Sequence, residues 1–325
     1  MNTNLQMSSP SVVSFKERSK QIFNQLGMVI ILALLIIVMI IFAPNFTDSS
    51  NILNVLKQSS ITAILAVGMT VVILTGGIDL SVGSTLALSG VISVLLSNAG
   101  TPPVIAMLVG VAVGYVAGAI NGFLTAVPKL PAFIVTLGSM TYLRGLAYVI
   151  TGGYPVVLAS KQFKFIGAGQ ILGIPTPIYV MAIVYIIMLI VLKYTMFGRH
   201  VYAIGGNEEA AHLTGIKVKR TLINVYSISG LLAGVSGVVM AGRLFSGQPM
   251  VGIAFELDAI AAVVLGGTSF VGGRGRIQGT IIGVLIVAVL TNGMTLLNVD
   301  YYWQQVVKGI VIVIAVLLDR LRSRT

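Results

Sequence analysis

The stretch "TGGIDLSVGS", residues 75–84, sets Gly76, Gly77, Asp79, Ser81 and Gly83 between two apolar runs. The runs are "ILAVGMTVVIL" (64–74) and "TLALSGVISVLL" (85–96), and both read as membrane-buried helix. A charge at the centre of a bilayer costs at least about 2.5–3.5 kcal/mol on insertion scales. Non-helical backbone at such depth survives only where it is shielded from lipid. The stretch therefore predicts the interrupted end of one helix and the start of a short one, facing protein or an aqueous path. Gly76 and Gly77 allow the turn. Asp79 and Ser81 are placed to satisfy freed amides of the next helix, with a solute contact at Asp79 as the second reading.

The rest of the chain supports a membrane setting. Hydrophobic residues make up 56% of 325, and charged residues 9%. A soluble domain carries roughly 25% charged residues, so the outer solvent here is lipid. The net charge of +11 falls in short clusters between apolar runs, which fits cytoplasmic loops better than nucleic-acid binding. The chain has no cysteine and only two histidines, His200 and His212. That removes disulfides, thiol chemistry and a His-based metal centre.

Hydropathy predicts an all-α polytopic transmembrane bundle of about ten spans, at 27–44, 57–75, 84–97, 104–126, 131–150, 177–195, 221–241, 258–272, 277–296 and 303–318. Residues 1–26 read as a cytoplasmic tail, and 27–325 as one transmembrane domain. With both termini cytoplasmic, the inner segments hold Lys16, Arg18, Lys20, Lys129, Lys193, Arg199, Lys217, Lys219, Arg220, Arg274, Arg276, Arg320, Arg322 and Arg324. The positive-inside rule favours that orientation. "YYW" at 301–303 suits an outer interfacial belt. The segment 151–176 is the longest outer connection, a docking surface for an external partner or a re-entrant or surface segment.

Two halves resemble one another. "VVILTGGIDLSVGS" (71–84) and "AVVLGGTSFVGG" (262–273) share an apolar run, a glycine pair and a polar break. Gly266, Gly267, Thr268 and Ser269 are thus the expected counterparts of the first break. Rows of small residues, including Gly110, Gly114, Gly118 and Gly122, predict close helix packing. Of the intramembrane charges, Asp79 and Asp258 are the better functional candidates. Arg144, Arg243 and Lys308 read as snorkelling to an interface.

The inner loop at about 196–220 contains "GGNEEAAHLTGI" (205–216). Asn207 is a good N-cap. Glu208 and Glu209 suit the first turn. Ala210 and Ala211 favour helix, and Gly215 is placed to end it. Two turns are marginal alone in water, so this helix is expected to dock on something.

The "EAAHLTG" of 209–215 matches the E-A-A-x-x-x-G pattern of bacterial ABC importer permeases. Taken with "GGIDLSVGS" (76–84), "ELDAIAAVVLGGTSFVGGRGRIQGT" (256–280) and "TNGMTLLNV" (291–299), the chain resembles the ribose-type branch of ABC sugar permeases over about 27–320. The resemblance implies a bacterial inner-membrane permease working as a homodimer, or paired with a related permease. It implies a separate cytoplasmic ATPase, which carries ATP and magnesium, and a periplasmic sugar-binding protein. Residues 207–216 would be the coupling helix, with Glu209 and Gly215 carried over from the motif. The sugar would be ribose first, with allose, xylose, other monosaccharides and autoinducer-2 open. The chain lacks a G-x-x-x-x-G-K-[ST] phosphate loop, so ATP hydrolysis falls to another chain and no cofactor is expected in this one. The competing reading is an ion-coupled secondary transporter or channel, which broken helices would suit. An enzyme finds no catalytic constellation.

Overall fold

A computed structural model describes the backbone of residues 15–323 and the side chains of 27–314, 316 and 317. Residues 1–14 of the predicted tail at 1–26 lie outside the described residues. The first helix, α1 (Phe15–Phe42), begins well before the predicted start of its span at residue 27.

Two long apolar helices organise the bundle. The first, α2 (Ser49–Leu74), is buried along almost its whole second half, from Ser59 to Leu74, and the second is α10 (Val218–Leu244). A helix that is apolar on all sides belongs inside. Around them stand α3 (Val82–Asn98), α4 (Pro103–Ala126), α5 (Ala132–Thr151), α7 (Thr176–Tyr194), α11 (Phe255–Leu265), α12 (Ile277–Leu296) and α13 (Tyr301–Ser323). The predicted spans fall on these helices and on α1, that at 258–272 only in part. Six of them, α2, α4, α5, α7, α10 and α12, are long and apolar enough to cross a membrane. The apolar part of α1 (27–42) and α3 are shorter. The predicted span at 258–272 is corrected: α11 stops at Leu265, and residues 266–276 are not helical.

The glycine rows do what their spacing predicts. A Cβ on Gly114 would strike the Gly230 carbonyl oxygen, and one on Gly118 would strike that of Tyr226. At Gly122 it would come 2.7 Å from Cα of Ile223. So α4 and α10 touch backbone to backbone, as small residues allow where lipid supplies no hydrophobic drive.

Between α5 and α7 lie α6 (Lys161–Ala168) and three two-residue strands, one of which pairs with a strand that follows α10. Here β1 (Val156–Val157) pairs antiparallel with β4 (Ser246–Gly247), and β2 (Gln170–Ile171) pairs with β3 (Ile174–Pro175). At the opposite end of the bundle α8 (Met196–Gly206) and α9 (Glu208–Leu213) join α7 to α10. The sequence reading had no counterpart for α8.

Candidate functional site

The opening stretch breaks the chain as expected. After α2 the amides of Gly76 and Gly77 donate back to Ile73 O (2.9 Å) and Val72 O (3.2 Å), and Gly76 sits at φ +77°. A side chain is strained there, so glycine fits. The chain then turns back along α10. Asp79 is fully buried beside Ser229, eleven residues past Val218. At 1.5 Å per residue this is about 16 Å along α10, close to half the thickness of a bilayer core.

Asp79 is not the side-chain cap of α3. The N-cap of α3 is Ser81, which makes no side-chain cap bond. Instead Asp79 Oδ1 accepts from the Ser81 amide (3.0 Å) and the Ser81 hydroxyl (2.6 Å), and Oδ2 accepts from the Ser229 hydroxyl (2.8 Å). Hydrogen bonds to a charged acceptor are the strong ones. The chain of contacts continues: Asn121 Nδ2 donates to Ser81 Oγ at 2.9 Å, and Ser139 donates to Asn121 Oδ1. One buried polar string thus ties α10, the break, α4 and α5 together. It gives Asp79 no open face toward solvent in this conformation.

A second break lies where the sequence reading did not place it. After α10, residues 245–254 run from β4 back into the bundle before α11 starts. Phe245 (φ +54°), Gly252 (φ +77°) and Ala254 (φ +67°) all take left-handed conformations, which non-glycine residues hold only under surrounding constraint. Arg144 Nη1 on α5 supplies part of it, donating to Pro249 O (2.5 Å) and Val251 O (2.6 Å). The expected snorkelling of Arg144 is therefore corrected: it binds freed carbonyls. The two breaks meet. A Cβ on Gly83 would strike the Gly252 carbonyl oxygen, and one on Gly252 would come 2.7 Å from that of Gly83.

Residues 266–276 repeat the helix-ending geometry of the first break but sit elsewhere. Gly267 (φ +78°) donates to Val264 O at 2.8 Å and the Thr268 amide to Val263 O at 3.2 Å, as Gly76 and Gly77 do after α2. The segment closes on the C-terminal end of α2 and on α8. Gly273 N–H donates to Leu74 O (2.9 Å), and Tyr202 Oη donates to Gly275 O (3.0 Å). Burial pushes the Tyr202 phenol above its usual range, against the pull of Arg276, which keeps it a donor. Gly266 packs on Gly279, Thr268 is buried against Gly275, and the Ser269 amide donates to Arg274 O (2.8 Å).

The expected surface helix is α9. Asn207 Oδ1 accepts from the Ala210 amide at 2.9 Å, and Gly215 takes φ +85° as the Ile216 amide returns to Ala211 O (3.2 Å). Only Ala211 docks, against Ile204 and Val218. Glu208, Glu209, Ala210 and His212 are exposed, and Leu213 is 83% exposed. The motif reading did not single out this bare apolar side chain on so short a helix. The structure also joins the two candidate groups. Gly76, Gly77, Glu208, Glu209 and Gly215 line one cleft of about 1080 Å³, with Lys129, Lys217, Lys219 and Arg220 around it. Among the described residues no cluster of His, Cys, Asp or Glu suits a metal ion.

Comparison with known proteins shows the family. The family model described as branched-chain amino acid transport system / permease component matches residues 51–316. The ribose import permease protein of Bacillus subtilis (strain 168) is 50% identical over 304 residues, covering 93% of this chain and 94% of the relative. That of Escherichia coli (strain K12) is 47% identical over 295 residues, covering 89% and 92%. The D-allose transport system permease protein of the same strain is 41% identical over 304 residues, covering 93% of each. No solved structure matches the chain. A broken-helix bundle with a capped helix at one end, matched across most of its length by transport permeases, belongs to this family of transport-system permease components.

Proposed function

We propose that the chain is the membrane-spanning subunit of an ATP-driven importer that carries ribose across the bacterial inner membrane. In this reading the chain crosses the membrane ten times, two of the crossings made by a break together with a short helix (α3 and α11), both termini and α9 lie in the cytoplasm, and two permease subunits assemble with a cytoplasmic ATPase and a periplasmic sugar-binding protein. ATP and magnesium sit on the ATPase. Ribose is favoured because the relatives named for ribose import are 46–50% identical, above those named for allose (41%) and arabinose (39%).

The observation that carries the reading is α9. A six-residue helix with a side-chain cap, one buried residue and a bare leucine is built for a partner. Its mount also leads inward. Ala211 packs on Ile204 of α8, and the end of α8 lies backbone to backbone with α2 and the 266–276 segment. There a Cβ on Gly205 would strike the Leu74 carbonyl oxygen and come 2.4 Å or so from the Gly273 amide. Contacts this close transmit displacement, because packed interiors yield little. A push on α9 therefore reaches Leu74, the last residue of α2 before the break. The facing breaks, one entered from each end of the bundle and meeting at Gly83 and Gly252, support two halves related by inversion. Such halves alternate access by rocking about a shared midplane.

The test is uptake by vesicles carrying the permease, its ATPase and its binding protein. ATP-driven accumulation of ribose, with allose and arabinose weaker, is expected. Accumulation driven by an ion gradient without ATPase or binding protein overturns the reading.

A further inference from the structure

Three charged side chains inside the bundle take no part in the account above. Arg243 on α10, Asp258 on α11 and Lys308 on α13 all line one cavity of about 250 Å³. Lys308 Nζ donates to Asp258 Oδ2 at 3.0 Å, with both side chains largely buried. Lys308, expected to snorkel, is instead paired with Asp258. The half-buried Arg243 guanidinium makes no hydrogen bond or ion pair with any described residue, and the exposed Gln58 of α2 stands at the edge of the same cavity. The hydroxyl of Thr291 on α12, also in the lining, is buried without a partner. Ionisable groups within a membrane bundle are costly, and they mark solute or ion paths by default. An unpaired half-buried guanidinium and a buried hydroxyl on one cavity wall favour something polar opposite them.

The position of the cavity fits a path. It takes in α2 at residues 55–62 and α12 at 284–292, in the part of the bundle away from α9. The first turn of α11, with Phe255 and Asp258, lines it immediately after the second break. The cavity thus reaches toward the level where Gly252 meets Gly83.

We propose that this cavity is a binding site for a neutral polyhydroxy solute, a monosaccharide, within each permease subunit. The proposal rests on the sugar-import reading and assigns that sugar a place. The lining mixes donors, from Arg243 and Gln58, with acceptors, from Asp258 and the Gln58 carbonyl. A site for an inorganic anion or a phosphate headgroup would present donors without a carboxylate beside them. A sugar ring presents hydroxyls that both give and accept, together with a C–H face. Val55, Met240, Phe255 and Val284 supply the apolar surface for that face. Few polar groups set in an apolar wall is the general character of a small-molecule site.

The chain has no cysteine, so one introduced thiol reports alone. Ala288→Cys places it in the cavity lining, and Leu172→Cys places a control on the exposed β2–β3 turn. The assembled transporter in lipid nanodiscs is treated with a small methanethiosulfonate reagent, with and without D-ribose. The same preparation in vesicles is assayed for ATP-driven ribose uptake. Ribose at twice its dissociation constant should slow labelling of Ala288→Cys about threefold by mass action and leave Leu172→Cys unchanged. Adding Gln58→Leu or Arg243→Gln should remove the protection. Uptake without protection overturns the site, as does protection that survives both substitutions. Protection without ATP-driven uptake keeps the site and overturns the importer reading. Neither protection nor uptake overturns both.

Discussion

At the scale of single residues, Asp79 and Arg144 do the same job with opposite charge. Each sits where a helix has been opened, and each satisfies what the opening leaves bare: Asp79 takes the Ser81 amide and two hydroxyls, and Arg144 takes two carbonyls. Such backbone groups cannot turn to lipid. Asp79→Leu should leave buried donors without an acceptor, at about 1–3 kcal/mol each. Ser229→Ala should cost about 1 kcal/mol, since it removes one bond and leaves the carboxylate its others. The thermal midpoints of the purified permease in detergent check this ranking, and a milder Asp79→Leu than Ser229→Ala sinks it. The sequence marked Asp79 as unusual because it stood among glycines in an apolar run. It did not identify Ser229 or Asn121 as the partners, because those contacts join segments 150 and 40 residues apart. Arg144 was misread for the same reason: its carbonyl partners lie in residues 245–254, whose polarity is too weak to announce a break.

At the scale of elements, α4 and α10 are held by the absence of side chains. Gly118→Leu should force the two backbones apart at the cost typical of overpacking, about 1–3 kcal/mol or more. Gly138→Ala on α5 is the matched control, because nothing lies within 4 Å of its added Cβ. Its effect should be neutral, or stabilising by up to about 1 kcal/mol through helix propensity. Equal destabilisation of the two variants in a denaturation series contradicts this account of the helix pair. The i, i+4 glycine spacing made that contact legible from sequence. The capped helix α9 was legible too, since Asn207, Glu208, Glu209 and Gly215 are local signals. Leu213 was not, because exposure is a property of the folded chain. Leu213→Asp should leave the permease folded and weaken its hold on the ATPase. Co-purification of the complex checks it, and undiminished recovery of ATPase would remove Leu213 from the interface.

At the scale of the whole molecule, the central issue is which ends face which side. Ten apolar stretches were legible as helices, but their depth was not: α11 has eleven residues and α3 seventeen, and both start inside the bundle after a break. Windows of hydropathy average over such half-helices. The glycine pairs likened 71–84 to 262–273, and the two helix endings do share a geometry, but the contact at Gly83 is with Gly252. Single thiols in this cysteine-free chain test the orientation. A membrane-impermeant reagent added to intact cells should label Leu172→Cys and spare Leu213→Cys, and labelling reversed between them inverts the topology. The claim that matters most is that α9 receives the work of a separate ATPase. Glu209→Arg in the assembled transporter tests it, with ribose uptake and ATP hydrolysis measured together in vesicles. The account predicts uptake at background and ATP hydrolysis that no longer responds to the binding protein, with the permease at its normal level in the membrane. Uptake and stimulated hydrolysis both unchanged would contradict it.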